Sequence, residues 1–456
     1  MSLGRQLAEF VANASFDSLP PEAVVQAKRA LLDTLGVALA GSREEAARIL
    51  AERALADGGG GEASVLGWGF RAPAAGAALV NGTAAHALDF DDVSMSMRGH
   101  PSAPLLPAVL ATAEETRASG AEALLAFVLG FEVAAKMGGL LGARHYDLGW
   151  HATSTLGTLG AAAASARLRG LCAERTLAAL GIAASMASGL RANFGTMTKP
   201  LHAGLAARNG VQAAALAAAG LTAAEDALEA ADGFVAAFSG ETAPETTLRP
   251  LGQPFDIVSP GVAQKLYPCC YATHRAIDAA IELAAGIDPA AIASVRVDAG
   301  RGTLLPLIVR APQTGLEGKF SLEYCVATAL LDGAVSVRSF SDAAVARPEV
   351  QRLLERIEVV EDVEPRPNFL ENWARVRLAL ADGSVHEKRV DVPRGDPRRP
   401  LTWDELTAKF LDCSLPVLGP DQARSVIDTI KGLEELPDVR VLTAALAGKT
   451  TSKATS

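Results

Sequence analysis

Between Pro21 and Gly41 the apolar residues Val24, Ala27, Leu31, Leu32, Leu35 and Leu39 recur every three or four positions, the spacing that places one stripe on a helix. Ser18 stands before Pro20-Pro21 as a helix cap followed by first-turn proline, and Gly41 closes the run. Helical runs follow around 72–92, 103–118, 120–138, 152–168, 173–189, 204–219 and 223–231, with a glycine-rich loop at 56–61. Residues 1–265 thus read as an all-helical domain. The pattern changes after Pro268. A helix over 273–285 precedes the alternating run Ser294–Asp298, and Ile357–Val360 is a second strand. Two further alternating runs, 375–380 and 385–390, flank Asp382-Gly383, a strong hairpin signal. Residues 266–400 are predicted to form a smaller α+β domain, and 401–448 to return as helices to the first domain, making it discontinuous. The polar tail 449–456 is expected to be disordered. The fold class is mainly α with a smaller α+β domain.

A chain of 456 residues exceeds a typical single core, so two domains are expected. Apolar residues make up 49% of it and aromatics only 5%, so the helices must pack closely through small side chains such as Ala161–Ala164. A net charge of −10 argues against a nucleic-acid surface. The 5 cysteines form no CxxC pair, which points to a reducing compartment and to no zinc or iron–sulfur site. No signal-peptide pattern and no uninterrupted apolar run of about 18 residues is read, so the expectation is a cytoplasmic protein without a membrane span.

Four segments concentrate groups able to do chemistry. In Gly195–Gly204, Lys199 directly precedes Pro200, which disfavours helical backbone at the lysine. A lone cation at such a break suits a bound anion or a proton transfer; the alternative is a solvent-facing loop lysine. The run His86–Asp92, followed by Gly99-His100-Pro101, gathers two histidines and three carboxylates, with His86 and Asp89 predicted to share a helix face. Grouped carboxylates raise one another's proton affinity or demand a cation, which suits acid–base work; the alternative is a helix end with solvated aspartates. The spacing matches no standard metal-ligand motif. In His145–Thr155, His151 opens a helix whose N-terminus would hold the imidazole neutral, and Thr153 offers a hydroxyl; a buried capping histidine is the alternative. Arg191 leads into the Lys199 segment. In Pro268–Arg275, His274 again opens a helix, while Cys269 and Cys270 have no evident activating base and read as structural. His202 is read as satisfying local backbone groups and His386 as structural.

With these segments in order, the chain resembles the MmgE/PrpD family, which contains 2-methylcitrate dehydratase, cis-aconitate decarboxylase and iminodisuccinate epimerase. The resemblance runs through Leu31–Gly36, Asn81-Gly82, His86–Asp92, Gly99–Ser102, Gly149–Gly157, Gly195–Gly204, Pro268–Asp278 and Lys319–Ser321. It implies a large helical domain and a smaller α+β domain, a homodimer, an active site in the cleft between the domains, and no metal or organic cofactor. It also implies site positions at Asp89, His100, His151, Lys199 and His274, with Tyr146 opposing Lys199 in the epimerase branch. Arg275, Thr153, Arg191, Asp92 and His86 are the expected substrate-binding groups. Two positions depart from relatives: Val93 stands where some have threonine, and Tyr271 where many have arginine. The implied chemistry is proton removal next to a carboxylate on a small di- or tricarboxylate. A cofactor-independent hydro-lyase of the 2-methylcitrate dehydratase type is the leading expectation, with an epimerase or a decarboxylase as alternatives and a non-catalytic carboxylate binder behind them.

Overall fold

The structure is a computed structural model and describes residues 1–240, 248–363 and 372–448. The tail expected at 449–456 lies outside the described residues. The chain divides into two compact units, one of residues 1–193, 197–262 and 402–456, the other of 194–196 and 263–401.

The first unit opens with α1 (Leu3–Asn13), α2 (Pro21–Gly41) and α3 (Glu45–Ala56), then a small hairpin of β1 (Ala63–Val65) and β2 (Phe70–Ala72). It continues through α4 (Ala74–Ala87), α5 (Ser102–Thr116), α6 (Gly120–Asp147), α7 (Ala152–Leu168), α8 (Ala173–Met186), α9 (Thr198–Ala218) and α10 (Phe234–Ser239). Helix α9 packs against α4, α5, α7 and α8. It can do so because the facing side chains are small: a Cβ on Gly204 would lie 2.3 Å from the Leu79 carbonyl oxygen, and one on Gly82 would lie 2.9 Å from Gly204 Cα. α4 and α9 therefore touch backbone to backbone. Helix α6 is long and apolar enough to cross a membrane by length and composition, but Glu132 and Lys136 interrupt its apolar run and its apolar window is 89% buried within the protein.

The second unit holds α11 (His274–Ala284), β3 (Ile292–Ala299), α12 (Gly315–Gly318), α13 (Leu322–Asp332), α14 (Asp342–Val345), α15 (Pro348–Leu354), β4 (Ile357–Glu361), β5 (Ala374–Leu380) and β6 (Val385–Val390). Its sheet runs β4-β3-β5-β6, with β3 and β4 parallel and the other pairs antiparallel. Apolar residues of α11, α13 and the sheet, among them Ile277, Tyr324, Val297 and Val376, form its core. The chain then completes the first unit with α16 (Trp403–Leu418), α17 (Pro420–Lys431) and α18 (Arg440–Ala445).

Four local expectations are corrected. Ser18 does not cap α2; its hydroxyl bonds back to Ser15. Residues 223–231 form turns, because the carbonyls of Ala227 and Leu228 accept the N–H groups of Phe234 and Val235 at 2.9 and 3.0 Å and cannot continue a helix. Helix α4 stops at Ala87, so His86 and Asp89 do not share a helix face. Lys199 lies in the first turn of α9 and not at a break, since Pro200 needs no N–H partner there.

Candidate active site

The end of α4 supplies His86, and the chain then turns sharply at Asp89, whose φ of +51° is left-handed backbone that aspartate tolerates better than most residues. Asp91 and Asp92 follow on this turn. Ser94 and Gly99 then pair as a short antiparallel bridge that brings His100 back toward it. The N–H of His100 donates to Thr153 Oγ1 at 3.0 Å, so Thr153 holds the His100 backbone through one acceptor position and keeps its O–H as a donor. This approach needs a glycine at 99, where a Cβ would lie 2.8 Å from Thr153 N.

His86, Asp89, Asp91, His100 and Lys199 meet here. Lys199 Nζ donates to Asp89 Oδ1 at 2.7 Å. His100 Nε2 is 3.8 Å from that oxygen, and its Nδ1 is 3.2 Å from Asp91 Oδ2. His86 Nδ1 is 2.8 Å from the same Asp91 oxygen. The His100 side chain is 14% exposed, against 5% for Lys199, 4% for Asp89 and none for His86 and Asp91, so His100 is the member solvent or substrate reaches most readily. Donor atoms of His86, Asp89, Asp91 and His100 fall within 4.8 Å of one another, close enough to surround a cation. The ammonium of Lys199 already neutralises Asp89 there, so the set reads as two hydrogen-bonded pairs, Lys199–Asp89 and His86–Asp91, with His100 between them at ion-pair distances.

His151 occupies the N-cap position of α7, with its N–H donating to Gly189 O at 3.0 Å. Its Nδ1 is 3.0 Å from His202 Nδ1, and its ring stacks 5.7 Å from that of His86. One of these two Nδ1 atoms carries the shared hydrogen. Burial, followed by the charge of Lys199, pushes His202 down to about 4; burial, with Asp91 opposing it, leaves His86 at about 3. His151 falls well below its ordinary value chiefly through burial, and then through His86, Lys199 and His202. The expected neutral imidazole is present, but burial produces it rather than the helix terminus. Asp91 stays ionised despite burial because His86 and His100 hold it low. Asp92 faces Ser102, accepting its N–H at 3.1 Å and its hydroxyl, and burial raises it to about 8. It caps α5.

Tyr146 is half-buried, with the Arg191 guanidinium 3.8 Å from its ring centroid and Arg191 donating to the Tyr146 carbonyl at 2.7 Å. These two pair with each other in the described contacts. In the second unit His274 is fully buried between the rings of Tyr267 and Tyr271, each 5.1 Å away. Arg275 is buried too, and its Nε donates to Asp391 O at 3.0 Å. Cys269 is fully buried with its Sγ 3.2 Å from Thr273 Oγ1; burial pushes its thiol up, while Cys325, His274 and Thr273 draw it down.

Sequence reading counted Asp91 only as one of three grouped carboxylates, took His202 as satisfying local backbone groups, whereas its ring faces His151, and passed over Lys409 and the fully buried Lys265. His202 stands three residues after Lys199 on one helix, a spacing that puts both on one face and could have flagged it. Lys409 has no such signal: it comes from α16, far along the chain, and reaches Asp33 Oδ1 at 2.6 Å and Phe90 O at 2.8 Å, anchoring the turn that carries Asp89.

The MmgE/PrpD N-terminal domain matches residues 5–247, and the MmgE/PrpD C-terminal domain matches 267–435. The chain is 32% identical to cis-aconitate decarboxylase of Homo sapiens, covering 98% of this chain and 95% of that one. It is 31% identical to cis-aconitate decarboxylase of Mus musculus (98% and 94% covered) and 27% identical to that of Aspergillus terreus (96% and 94%). With both domains matched and relatives aligned along nearly its whole length, this chain is an enzyme of the MmgE/PrpD family.

Proposed function

We propose that this enzyme is a lyase that decarboxylates a small unsaturated tricarboxylate of the cis-aconitate type. The observation that carries the reading is the Lys199–Asp89–His100 array, a buried ammonium beside an imidazole at a partly open position. In such a substrate the bond to one allylic carboxylate breaks and carbon dioxide leaves. The electron pair moves through the double bond to the carbon next to a second carboxylate, and one proton closes that carbon. The transient enolate-like charge needs a fixed cation and a proton donor. Lys199 supplies the charge, and His100 and Lys199 are the proton carriers. The relatives' printed activity favours this outcome over water loss, which the same side chains would also serve.

Proton NMR of the enzyme in deuterium oxide with cis-aconitate, 2-methylcitrate, citrate and iminodisuccinate tests it. The expected result is consumption of cis-aconitate, release of carbon dioxide and one deuterium on the carbon that receives the proton. Water loss from a hydroxy acid without carbon dioxide, or epimerisation of iminodisuccinate alone, would replace this reading. No turnover by folded protein would refute it.

A further inference from the structure

We propose that Asp91 is a positioning residue that fixes the tautomer of His100, so that Nε2 faces the reacting centre as a proton acceptor. An ionised carboxylate only accepts hydrogen bonds. Asp91 Oδ2 is hydrogen-bonded to His86 Nδ1 at 2.8 Å, and His100 Nδ1 stands 3.2 Å from the same oxygen, at ion-pair distance, so the carboxylate favours the ring hydrogen on Nδ1 in both. The other oxygen, Oδ1, has no hydrogen-bond partner among the described residues, so both imidazoles face the carboxylate through Oδ2. The His100 ring is thereby left with a lone pair on Nε2, which points toward the Lys199–Asp89 pair, 3.8 Å from Asp89 Oδ1. The main-chain bond from His100 to Thr153 fixes the backbone of the same residue, so ring and backbone are held by separate partners.

This assignment rests on the decarboxylase reading for its chemical use, but not for its geometry. In the cycle, Nε2 takes one proton from water, forming an N–H bond and an imidazolium while an O–H bond breaks; the hydroxide left is taken up by the released carbon dioxide as hydrogencarbonate. Asp91 balances that charge at short range in a buried setting, where the interaction is stronger than in water. The proton then passes to the substrate carbon: the N–H bond breaks, a C–H bond forms, and the imidazole returns to its neutral Nδ1–H form. His86 is held by the same oxygen and packs edge-on against His100, with ring centroids 4.6 Å apart, so it backs the ring and limits its rotation.

The first test needs no substrate. Long-range proton–nitrogen NMR of the full-length enzyme labelled with nitrogen-15 histidine reports which ring nitrogen of each histidine carries hydrogen, and loss of a signal in His100→Gln assigns His100. The expected spectrum shows His100 protonated on Nδ1 with a bare Nε2. A His100 protonated on Nε2 overturns the proposal, whatever the substrate proves to be. The second test is Asp91→Asn, which keeps the shape and one acceptor oxygen but removes the charge. By the usual scale of general acid–base effects, kcat is expected to fall by about 10²–10⁴-fold with KM changed by less than about 3-fold. A variant that folds and keeps kcat within about 3-fold overturns the positioning role. If the variant does not fold, the wild-type spectrum decides. If the enzyme turns over none of the tested acids while His100 shows the expected tautomer, the substrate reading fails and the positioning of the ring stands.

Discussion

Replacing Lys409 by methionine removes the positive charge from the Asp33–Lys409–Phe90 contact without changing its bulk much. Lys409 is 4% exposed in its side chain and Asp33 is fully buried, the two 2.6 Å apart. The ammonium also donates to Phe90 O at 2.8 Å and lies 3.8 Å from the Phe90 ring centroid. Burial already pushes the Asp33 carboxyl up, and Lys409 is the main opposing influence. Without it Asp33 is expected to take a proton in the folded state. The cost has a ceiling, because neutralising a carboxyl of ordinary value 3.8 at pH 7 requires about 1.4 kcal/mol for each of roughly three pH units, or about 4 kcal/mol. The lost hydrogen bond to Phe90 adds about 1 kcal/mol, and the range agrees with the roughly 3–5 kcal/mol typical of broken buried pairs.

The sign with pH follows from this. The variant's folded Asp33 binds a proton that its unfolded chain does not, so the deficit shrinks as pH falls toward the unfolded value. At about pH 5.5 the ceiling is about 2 kcal/mol. Urea unfolding of wild type and Lys409→Met at both pH values, at one protein concentration, measures the deficit. Adding Asp33→Asn to the variant should recover much of it, because a neutral amide needs no proton uptake to stay buried. A deficit below about 1 kcal/mol, one of equal size at both pH values, or one that Asp33→Asn leaves untouched would refute the reasoning.

Lys199→Gln should lower kcat by about 10²–10⁴-fold while circular dichroism stays that of a folded chain; turnover near the wild-type rate would remove Lys199 from the chemistry. Gly204→Ala puts a methyl 2.2 Å from Thr83 Oγ1 and 2.3 Å from Leu79 O, so α4 and α9 must part, and urea unfolding should show a loss of about 1–3 kcal/mol or more. The neutral folded forms of His86 (about 3), His202 (about 4) and His151 mean that below the ordinary histidine value of 6.5 the unfolded chain binds more protons than the folded one, so stability falls as pH drops from about 6.5 toward 4. Asp92 acts oppositely: at about 8 it stays protonated in the fold, and its contribution is lost as pH rises through that value. Thermal midpoints should therefore peak near neutral pH, and a midpoint that keeps rising down to pH 5 would contradict the buried neutral histidines.

The sequence by itself determined the helices whose apolar spacing is unbroken and the hairpin around Asp382-Gly383, because these follow from local periodicity and turn chemistry. It also marked His86, Asp89, His100, His151 and Lys199, since histidines and charges at helix ends are visible as residue types. Where helices stop was decided by tertiary contacts: α4 ends at Ala87 so that Asp89 can turn back, and α9 begins at Thr198 so that Lys199 reaches Asp89 from 110 residues away. Protonation states were decided there too. Asp91 is one aspartate among three in the sequence, and only the return of His100 past Thr153 gives it two imidazoles to hold. Lys409 shows the same limit more sharply, because its partners Asp33 and Phe90 lie more than 300 residues earlier in the chain. Periodicity reports what neighbours on one element do, whereas a buried charge is set by whatever distant group the fold brings within a few ångströms of it.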